Sequence, residues 1–260
     1  MKKMVCVLLL LAPALLFAEG PFDGTWVAKL DSVKFPAKPD EYLLDKGMYS
    51  CSSCEPKINI KADGQDQKVT GSPYYNTMSV KVVDANTVEY VTKKDGKTIG
   101  TDTDTISADG NTLTSKFTDY SAANGKVVMG ESTETRVEKG PAGSHATSGS
   151  WRTEKMSNFS DAALTVTYES TADGLKMKAG TGESFDAKFD GKPCAIEGDP
   201  GHTMVSLKRV DASTVEETQT RDGKVIYVLA MTVAPDGKTI NVKVADKRQD
   251  TTTTYTMAKQ

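Results

Sequence analysis

The stretch that decides the fold is Val83-Asp84-Ala85-Asn86-Thr87-Val88-Glu89, because it returns as Val210-Asp211-Ala212-Ser213-Thr214-Val215-Glu216. The offset is 127 residues, from position 83 to position 210. Asp95-Gly96-Lys97 returns at the same offset, without a gap, as Asp222-Gly223-Lys224. A fixed internal offset of this kind indicates a duplicated structural unit.

The limits of the two units follow from a second repeated phrase. Gly24-Thr25-Trp26 is restated as Gly149-Ser150-Trp151. Just before the second copy, residues 139–148 are dominated by Gly, Pro, Ser and Ala and show no period. We therefore predict one unit over 19–138, a linker over 139–148 and a second unit over 149–260. A unit of roughly 115 residues is large enough to bury its own core.

The turn residues indicate that both units are built from β-hairpins. Asp-Gly, the strongest short-range hairpin signal, occurs at positions 63, 95, 109, 173, 190, 222 and 236. Helix signals are nearly absent; residues 40–46 could form one helical turn, and 41–55 otherwise look irregular. The sequence predicts an all-β protein with two tandem antiparallel meander barrels of about eight strands each.

The N-terminus has the pattern of a secretory signal peptide. Lys2 and Lys3 precede an apolar stretch from Val5 to Leu16, which is too short to span a bilayer comfortably. We predict a signal peptide over 1–18, export to the periplasm or the medium, and no membrane span in the mature chain. The formal charge of -3 offers no broad basic surface, so we expect no nucleic-acid binding.

One pair of equivalent strands differs between the two units. Alternate residues of the first copy are polar, whereas the matching residues of the second copy are apolar. The polar set is Gly100, Asp102 and Asp104, and the apolar set is Tyr227, Leu229 and Met231.

This difference has two interpretations. If the face is exterior, Tyr227, Leu229 and Met231 form a packing or interaction patch. If the face is interior, the first unit holds a wet cavity. We favour the exterior interpretation, because Ile99 and Ile226 on the other face are shared by both copies.

Cys51-Ser52-Ser53-Cys54 is the motif with the most chemical content. A thiol–disulfide exchange pair needs a strand-then-helix context, whereas here both flanks look like loop. A metal site needs a second pair of ligands, and the remaining cysteine and histidines are scattered. We favour a structural disulfide between Cys51 and Cys54; a bond to Cys194 would leave an odd thiol.

Other candidates for chemistry are weak. His145 and His202 lie in the linker and in a turn, and no Gly-x-Ser-x-Gly elbow is present. Asp102 and Asp104 could resemble a catalytic carboxylate pair, but same-face neighbours on an exposed strand are usually solvated. We predict no catalytic residue, no metal ligand and no cofactor.

Repeated or clustered aromatic residues are further candidates. Trp26 and Trp151 are expected to plug the foot of each barrel rather than to stack on a ligand. Tyr74 and Tyr75 could line the mouth of a pocket, although a loop folded onto the barrel edge is the favoured interpretation.

Two resemblances bear on these residues. Gly24-Thr25-Trp26 and Thr118-Asp119-Tyr120 resemble two short motifs of lipocalin-like barrels. Most of both units is similar to uncharacterised exported bacterial proteins with tandem lipocalin-like repeats, on phrases such as Val210–Thr218 and Pro235–Thr239. This resemblance implies an exported, periplasmic, β-barrel-like protein and no particular activity.

The predicted function is therefore a non-enzymatic module that binds a small apolar ligand in one or both barrels. The alternative is a structural or protein-interaction module whose barrels are filled with side chains. A barrel of this size can be packed solid or hold one small ligand. The oligomeric state and the ligand-binding residues stay open at this stage.

Overall fold

The structure, a computed structural model, describes residues 20–260, so the predicted signal peptide over 1–18 lies outside the described part. Within that part the protein is all-β, as predicted, with two ten-stranded antiparallel sheets that each curl into a nearly closed barrel. A single turn of helix, α1 (Asp161–Leu164), is the one α-helix among these residues.

The first barrel is formed by residues 40–157. Its strands, in chain order, are β2 (Asp40–Asp45), β3 (Met48–Cys51), β4 (Ile58–Lys61), β5 (Gln67–Lys68), β6 (Thr77–Val82), β7 (Thr87–Lys94), β8 (Lys97–Ile106), β9 (Thr112–Asp119), β10 (Val128–Lys139) and β11 (Gly149–Ser157). Across the sheet the order is β4-β3-β2-β11-β10-β9-β8-β7-β6-β5.

The second barrel combines the N-terminal strand with the C-terminal part of the chain. Its strands are β1 (Gly24–Lys34), β12 (Thr165–Ser170), β13 (Gly174–Ala179), β14 (Ser184–Lys188), β15 (Cys194–Ala195), β16 (Met204–Arg209), β17 (Thr214–Arg221), β18 (Lys224–Val233), β19 (Thr239–Asp246) and β20 (Thr251–Lys259). The order across the sheet is β14-β13-β12-β1-β20-β19-β18-β17-β16-β15. Ser184 and Glu197 exchange backbone hydrogen bonds of 3.1 and 2.8 Å near the closing edge.

Each barrel has ten strands rather than the predicted eight. Residues 41–55, which look irregular in sequence, contribute most of β2 and all of β3, and the expected helical turn over 40–46 is strand. The edge strands β5 and β15 have two residues each. Strands this short carry too little pattern to be recognised from sequence.

The two repeats exchange their first strands. β1 pairs with β12 and β20, whereas β11, its counterpart, pairs with β10 and β2. Each barrel therefore takes its Gly-x-Trp strand from the other predicted unit, and the sheets do not follow the predicted boundaries of 19–138 and 149–260. The chain crosses between barrels at residues 35–39 and 158–164.

Residues 140–148, in the predicted linker 139–148, form an ordered hairpin loop within the first barrel. Arg136 donates hydrogen bonds to the carbonyl oxygens of Ser148 and Ala146, both at 2.7 Å. The His145 backbone amide donates to the carbonyl of Leu44 at 2.9 Å. Thr147 and Ser148 are buried, so the loop belongs to the barrel wall.

The backbone geometry of the hairpin turns explains how neighbouring strands of each meander are connected. Asp95-Gly96 and Asp222-Gly223 have positive φ at both residues, as a type I′ turn requires. Lys46-Gly47 has the same geometry without the Asp-Gly signature. At Gly110 and Gly237 only the glycine has positive φ, so these turns belong to a different class.

A tryptophan is buried in the core of each barrel. Trp26 and Trp151 are both fully buried. Each indole Nε1 donates to the carbonyl oxygen four residues earlier, Phe22 at 2.7 Å and Thr147 at 2.9 Å. These matched contacts show that the exchanged strands occupy equivalent places.

Candidate functional site

The first barrel contains a cavity of about 510 Å³ that opens to solvent. Its walls come from strands around the barrel, and Tyr74 reaches it from the loop before β6. Three carboxyl groups, Asp102, Asp104 and Glu134, lie among tyrosines on the cavity wall. Cavities of this size hold small organic molecules in other proteins.

The three acids converge because their strands are neighbours in the sheet. β8 carries Asp102 and Asp104, β9 lies beside it, and β10 carries Glu134. Ser115 on β9 donates a 2.7 Å hydrogen bond from its hydroxyl to Asp102 Oδ1. Asp104 and Glu134 are 8% and 6% exposed, so two carboxyl groups sit in the barrel interior with little water.

Glu134 is incompletely satisfied. Its Oε2 atom is buried and has no hydrogen-bond partner among the described residues. A buried carboxyl oxygen without a partner costs free energy, because its hydration is lost and nothing replaces it. Glu134 is therefore the strongest sign in this cavity of a place for another molecule.

Burial shifts the acid–base properties of this cluster. Burial, followed by repulsion from the nearby Asp104 carboxylate, raises the pKa of Glu134 to about 8. Burial, followed by repulsion from Asp102, raises the pKa of Asp104 to about 7. The pKa of Asp102 is raised to about 6 by burial, against the opposing effect of the Ser115 hydrogen bond. The cluster thus titrates around neutral pH.

Aromatic side chains surround the acids. Tyr49 and Tyr90 meet edge to face, with ring centroids 5.3 Å apart, and both are buried. Tyr42 and Phe117 also line the cavity. The wall therefore combines negative charge with aromatic surface.

Cys51 and Cys54 form the predicted disulfide. Cys51 is fully buried in the apolar cluster with Tyr49 and Ile58, and Cys54 lines the cavity. The bond therefore holds the segment after β3 against the cavity wall. Cys194 is a free, half-buried cysteine in the second barrel.

We place the mouth of the cavity at the lining residues Gly100, Asp119, Ser121 and Tyr74, because they are exposed or partly exposed to solvent. Tyr74 is fixed from the second barrel, because its hydroxyl accepts a hydrogen bond from Arg221. The Arg221 guanidinium carbon lies 4.9 Å from the Tyr74 ring centroid. The second barrel thus positions one wall of the opening.

The second barrel carries larger side chains at the equivalent place. Tyr227 and Arg248 occupy the positions of Gly100 and Ser121, at the 127-residue offset. The Arg248 guanidinium carbon lies 4.6 Å from the Tyr227 ring centroid and the group forms a 2.7 Å ion pair with Asp246. We call Tyr227 and Arg248 the mouth plug.

Below the mouth plug, the second barrel is packed with apolar side chains. Met231 stands where the first barrel has Asp104, and Leu229 where it has Asp102.

The third acid also has an apolar counterpart. Met257, which pairs with Ile240, occupies the place of Glu134, which pairs with Leu113. The buried acid of the second barrel, Glu217, accepts a 2.7 Å hydrogen bond from Gln219.

The favoured exterior position of this face is wrong. Met231 is 1% exposed and lies in the apolar core with Leu207 and Val215. Asp102 and Asp104 face the cavity, so the expectation of solvated carboxylates is wrong as well. Tyr227, Leu229 and Met231 therefore do not form a surface patch. Tyr227 belongs to the mouth plug, and Leu229 and Met231 lie at interior positions of the second barrel.

A β-bulge explains this error. Thr92 pairs with Gly100, but Lys93 pairs with Thr98, so Ile99 is an extra residue in β8. The same bulge leaves Ile226 unpaired in β18. The alternation of side chains between the two faces of the strand is therefore interrupted at Ile99 and Ile226. For this reason the side of the sheet on which the isoleucines lie does not predict the side on which the following residues lie.

The remaining candidates are spread over the molecule. His145 Nε2 donates a 2.7 Å hydrogen bond to the Asp84 carbonyl oxygen, and its Nδ1 accepts from the Thr147 backbone amide at 3.2 Å. His202 lies in a turn of the second barrel with positive φ. Tyr74 lines the cavity mouth, whereas Tyr75 packs against the apolar cluster.

Comparisons add no relative to this geometry. No protein-family model and no curated protein matches the chain. Within residues 20–260, no group of three or more His, Cys, Asp or Glu side chains is arranged to hold a metal ion. The same part of the chain contains no helix with the length and apolarity needed to cross a bilayer.

Proposed function

We propose that this protein is a non-enzymatic binding module whose small ligand occupies the cavity of the first barrel. The observation that carries the proposal is the unpartnered Glu134 Oε2 on the wall of a cavity of about 510 Å³. A buried polar atom of this kind gains a partner when a ligand enters.

The contrast between the barrels supports the same conclusion. Both share one topology, yet only the second carries the Tyr227–Arg248 mouth plug and a core of apolar side chains at the matching positions. The first barrel keeps small residues, Gly100 and Ser121, at its opening. This pattern favours one receiving barrel and one structural barrel.

The second barrel has a supporting role in this proposal. It holds Tyr74 at the mouth through Arg221 and is otherwise a packed scaffold. The structural alternative inferred from sequence thus applies to this barrel. Export to the periplasm or the medium, and membership of the lipocalin-like repeat proteins, complete the proposal on the sequence pattern at 1–18 and the Gly-x-Trp phrases.

The test is native mass spectrometry of the protein purified from its own source, followed by organic extraction. We expect one small molecule per chain. A double variant, Gly100→Tyr with Ser121→Arg, copies the mouth plug into the first barrel and is expected to be recovered without ligand.

The matched control opens the other barrel. Tyr227→Gly with Arg248→Ser removes the second mouth plug and is expected to leave the ligand content at one molecule per chain. A wild-type protein that carries no molecule, and binds none in the probe titrations described below, contradicts the proposal.

A further inference from the structure

The charge of the cavity has one sign. Asp102, Asp104, Asp119 and Glu134 line it, and none of the described residues on its wall is Lys, Arg or His. Carboxyl groups gathered in a site of low dielectric repel one another and attract a cation. An anionic ligand meets this repulsion without any compensating positive group.

The two most deeply buried acids of the cavity, Asp104 and Glu134, can accept a hydrogen bond from a ligand. Glu134 is 94% buried, because its exposed fraction is 6%, and its Oε2 lacks a partner among the described residues. Asp104 lies within the same buried cluster. An ammonium group supplies both the missing hydrogen-bond donor and the missing positive charge.

The walls suit an organic cation better than a bare ion. Tyr42, Tyr49, Tyr90 and Phe117 present aromatic faces and edges to the cavity, and aromatic rings attract cations as well as apolar groups. The residues described do not form a group fitted to a metal ion, and about 510 Å³ is far more space than an ion needs.

We propose that the first barrel binds a small organic cation, with its ammonium group between Asp104 and Glu134 and its apolar or aromatic body against the tyrosines. This inference rests on the proposed binding function. In place of the apolar ligand expected from sequence, it proposes a ligand with an apolar body and a positive end.

Binding of such a cation is coupled to protons. The groups that face Glu134 are Asp40, Asp102 and Asp104, together with the Tyr42 hydroxyl, and none of them is basic. A cation favours the ionised carboxylates, so protons leave the cluster when the ligand enters near neutral pH. Affinity for the cation then rises from pH 6 to pH 8.

In the experiment, the full chain is titrated by calorimetry near pH 7 with three small molecules of similar size and shape that differ in charge. The probes are phenethylamine, which is cationic, 2-phenylethanol, which is neutral, and phenylacetate, which is anionic. Repeating the amine titration in two buffers of different ionisation enthalpy counts the protons released. Trimethylammonium and tryptamine extend the cationic series to smaller and larger bodies.

The expected result is binding of at least one ammonium probe, release of protons, and no comparable binding of the alcohol or the acid. Glu134→Gln keeps the shape and removes the charge, so it is expected to weaken amine binding about tenfold. Glu217→Gln, which neutralises the buried acid of the other barrel, is the matched control and is expected to leave the affinity unchanged.

The outcomes separate the two proposals. Binding of 2-phenylethanol as tight as that of phenethylamine, unaffected by Glu134→Gln, overturns the cationic ligand and keeps the binding function. Preference for phenylacetate does the same. Failure of every probe at millimolar concentration overturns the cation proposal, and the binding function falls with it if the native protein also carries no molecule.

Discussion

The two barrels have the same ten-strand topology and opposite interiors. Asp104 and Glu134 of the first stand where Met231 and Met257 stand in the second. The shared features are the turns, the β-bulge in β8 and β18, and the buried tryptophans. The backbone therefore depends on those features, and the interior positions are free to serve either packing or binding.

The largest expected effect tests the feature that both barrels share. Trp26→Ala and Trp151→Ala each remove a fully buried indole and its hydrogen bond, so each is expected to lower the free energy of unfolding by about 4 kcal/mol. Urea denaturation of the two variants measures this. A loss below about 1 kcal/mol in one of them contradicts the equivalence of the exchanged strands.

The next prediction exchanges one interior position between the barrels. Met231→Asp places a carboxyl group in a packed apolar core and is expected to cost about 3 kcal/mol. Asp104→Met removes a buried acid from the cavity and is expected to leave the protein as stable or more stable near pH 8. Thermal unfolding of both variants gives the comparison, and equal destabilisation by the two changes is the result that contradicts it.

The disulfide belongs to the first barrel alone, because Met177 occupies the place of Cys51 in the second. Cys51→Ala with Cys54→Ala opens a four-residue loop and is expected to cost about 2 kcal/mol from loop entropy. Cys194→Ala is the control for a cysteine outside the bond. Denaturant midpoints of both variants check the difference, and a reduced wild type should match the double variant.

The last prediction is the pH dependence of stability, to which all three buried acids of the cavity contribute. The unfolded chain loses the protons of Asp102, Asp104 and Glu134 near pH 4, whereas the folded protein keeps them until about pH 6, 7 and 8. Between these limits the folded state binds more protons, so stability is greatest at the acidic end and falls as pH rises. This fall defines a negative slope of stability against pH.

Denaturation at pH 5 and pH 8 measures that slope in the ligand-free protein. Glu134→Gln removes one of the three groups and is expected to flatten it. The control is Glu131→Gln on the same strand; this partly buried side chain lies 3.8 Å from the exposed Lys116 Nζ and forms an ion pair with it. A slope that both variants share with wild type contradicts the burial of the acid cluster.

Sequence reasoning reached the fold because the evidence for it is local or repeated. The 127-residue offset pairs β6 to β9 with β16 to β19, and Asp95-Gly96 and Asp222-Gly223 form the expected turns. The exchange of the first strands could not be predicted, because it depends on which of two similar sequences pairs with which barrel. Gly24-Thr25-Trp26 and Gly149-Ser150-Trp151 are near copies, so either strand satisfies either barrel.

The candidate site was less accessible to sequence reasoning. The difference between Asp104 and Met231 is visible in the sequence. The bulge at Ile99 is not, and without it the alternation of residues assigns Asp104 to the wrong face of the sheet. Glu134 was missed because the loop over 120–127 has eight residues and its counterpart over 247–250 has four, which moves β10 out of the 127-residue offset. An alignment that allows this gap pairs Glu134 with Met257 and reveals the third acid.

The exchanged strands also set the order in which the molecule can be completed. The first barrel needs no residue beyond 157, so it can close while the rest of the chain is still being made. The second barrel joins β1 to β20, with Trp26 paired opposite Lys259, across almost the whole chain. Its sheet stays open until the last strand arrives, and until then β1 can pair with β12 on one side while its other edge is unpaired.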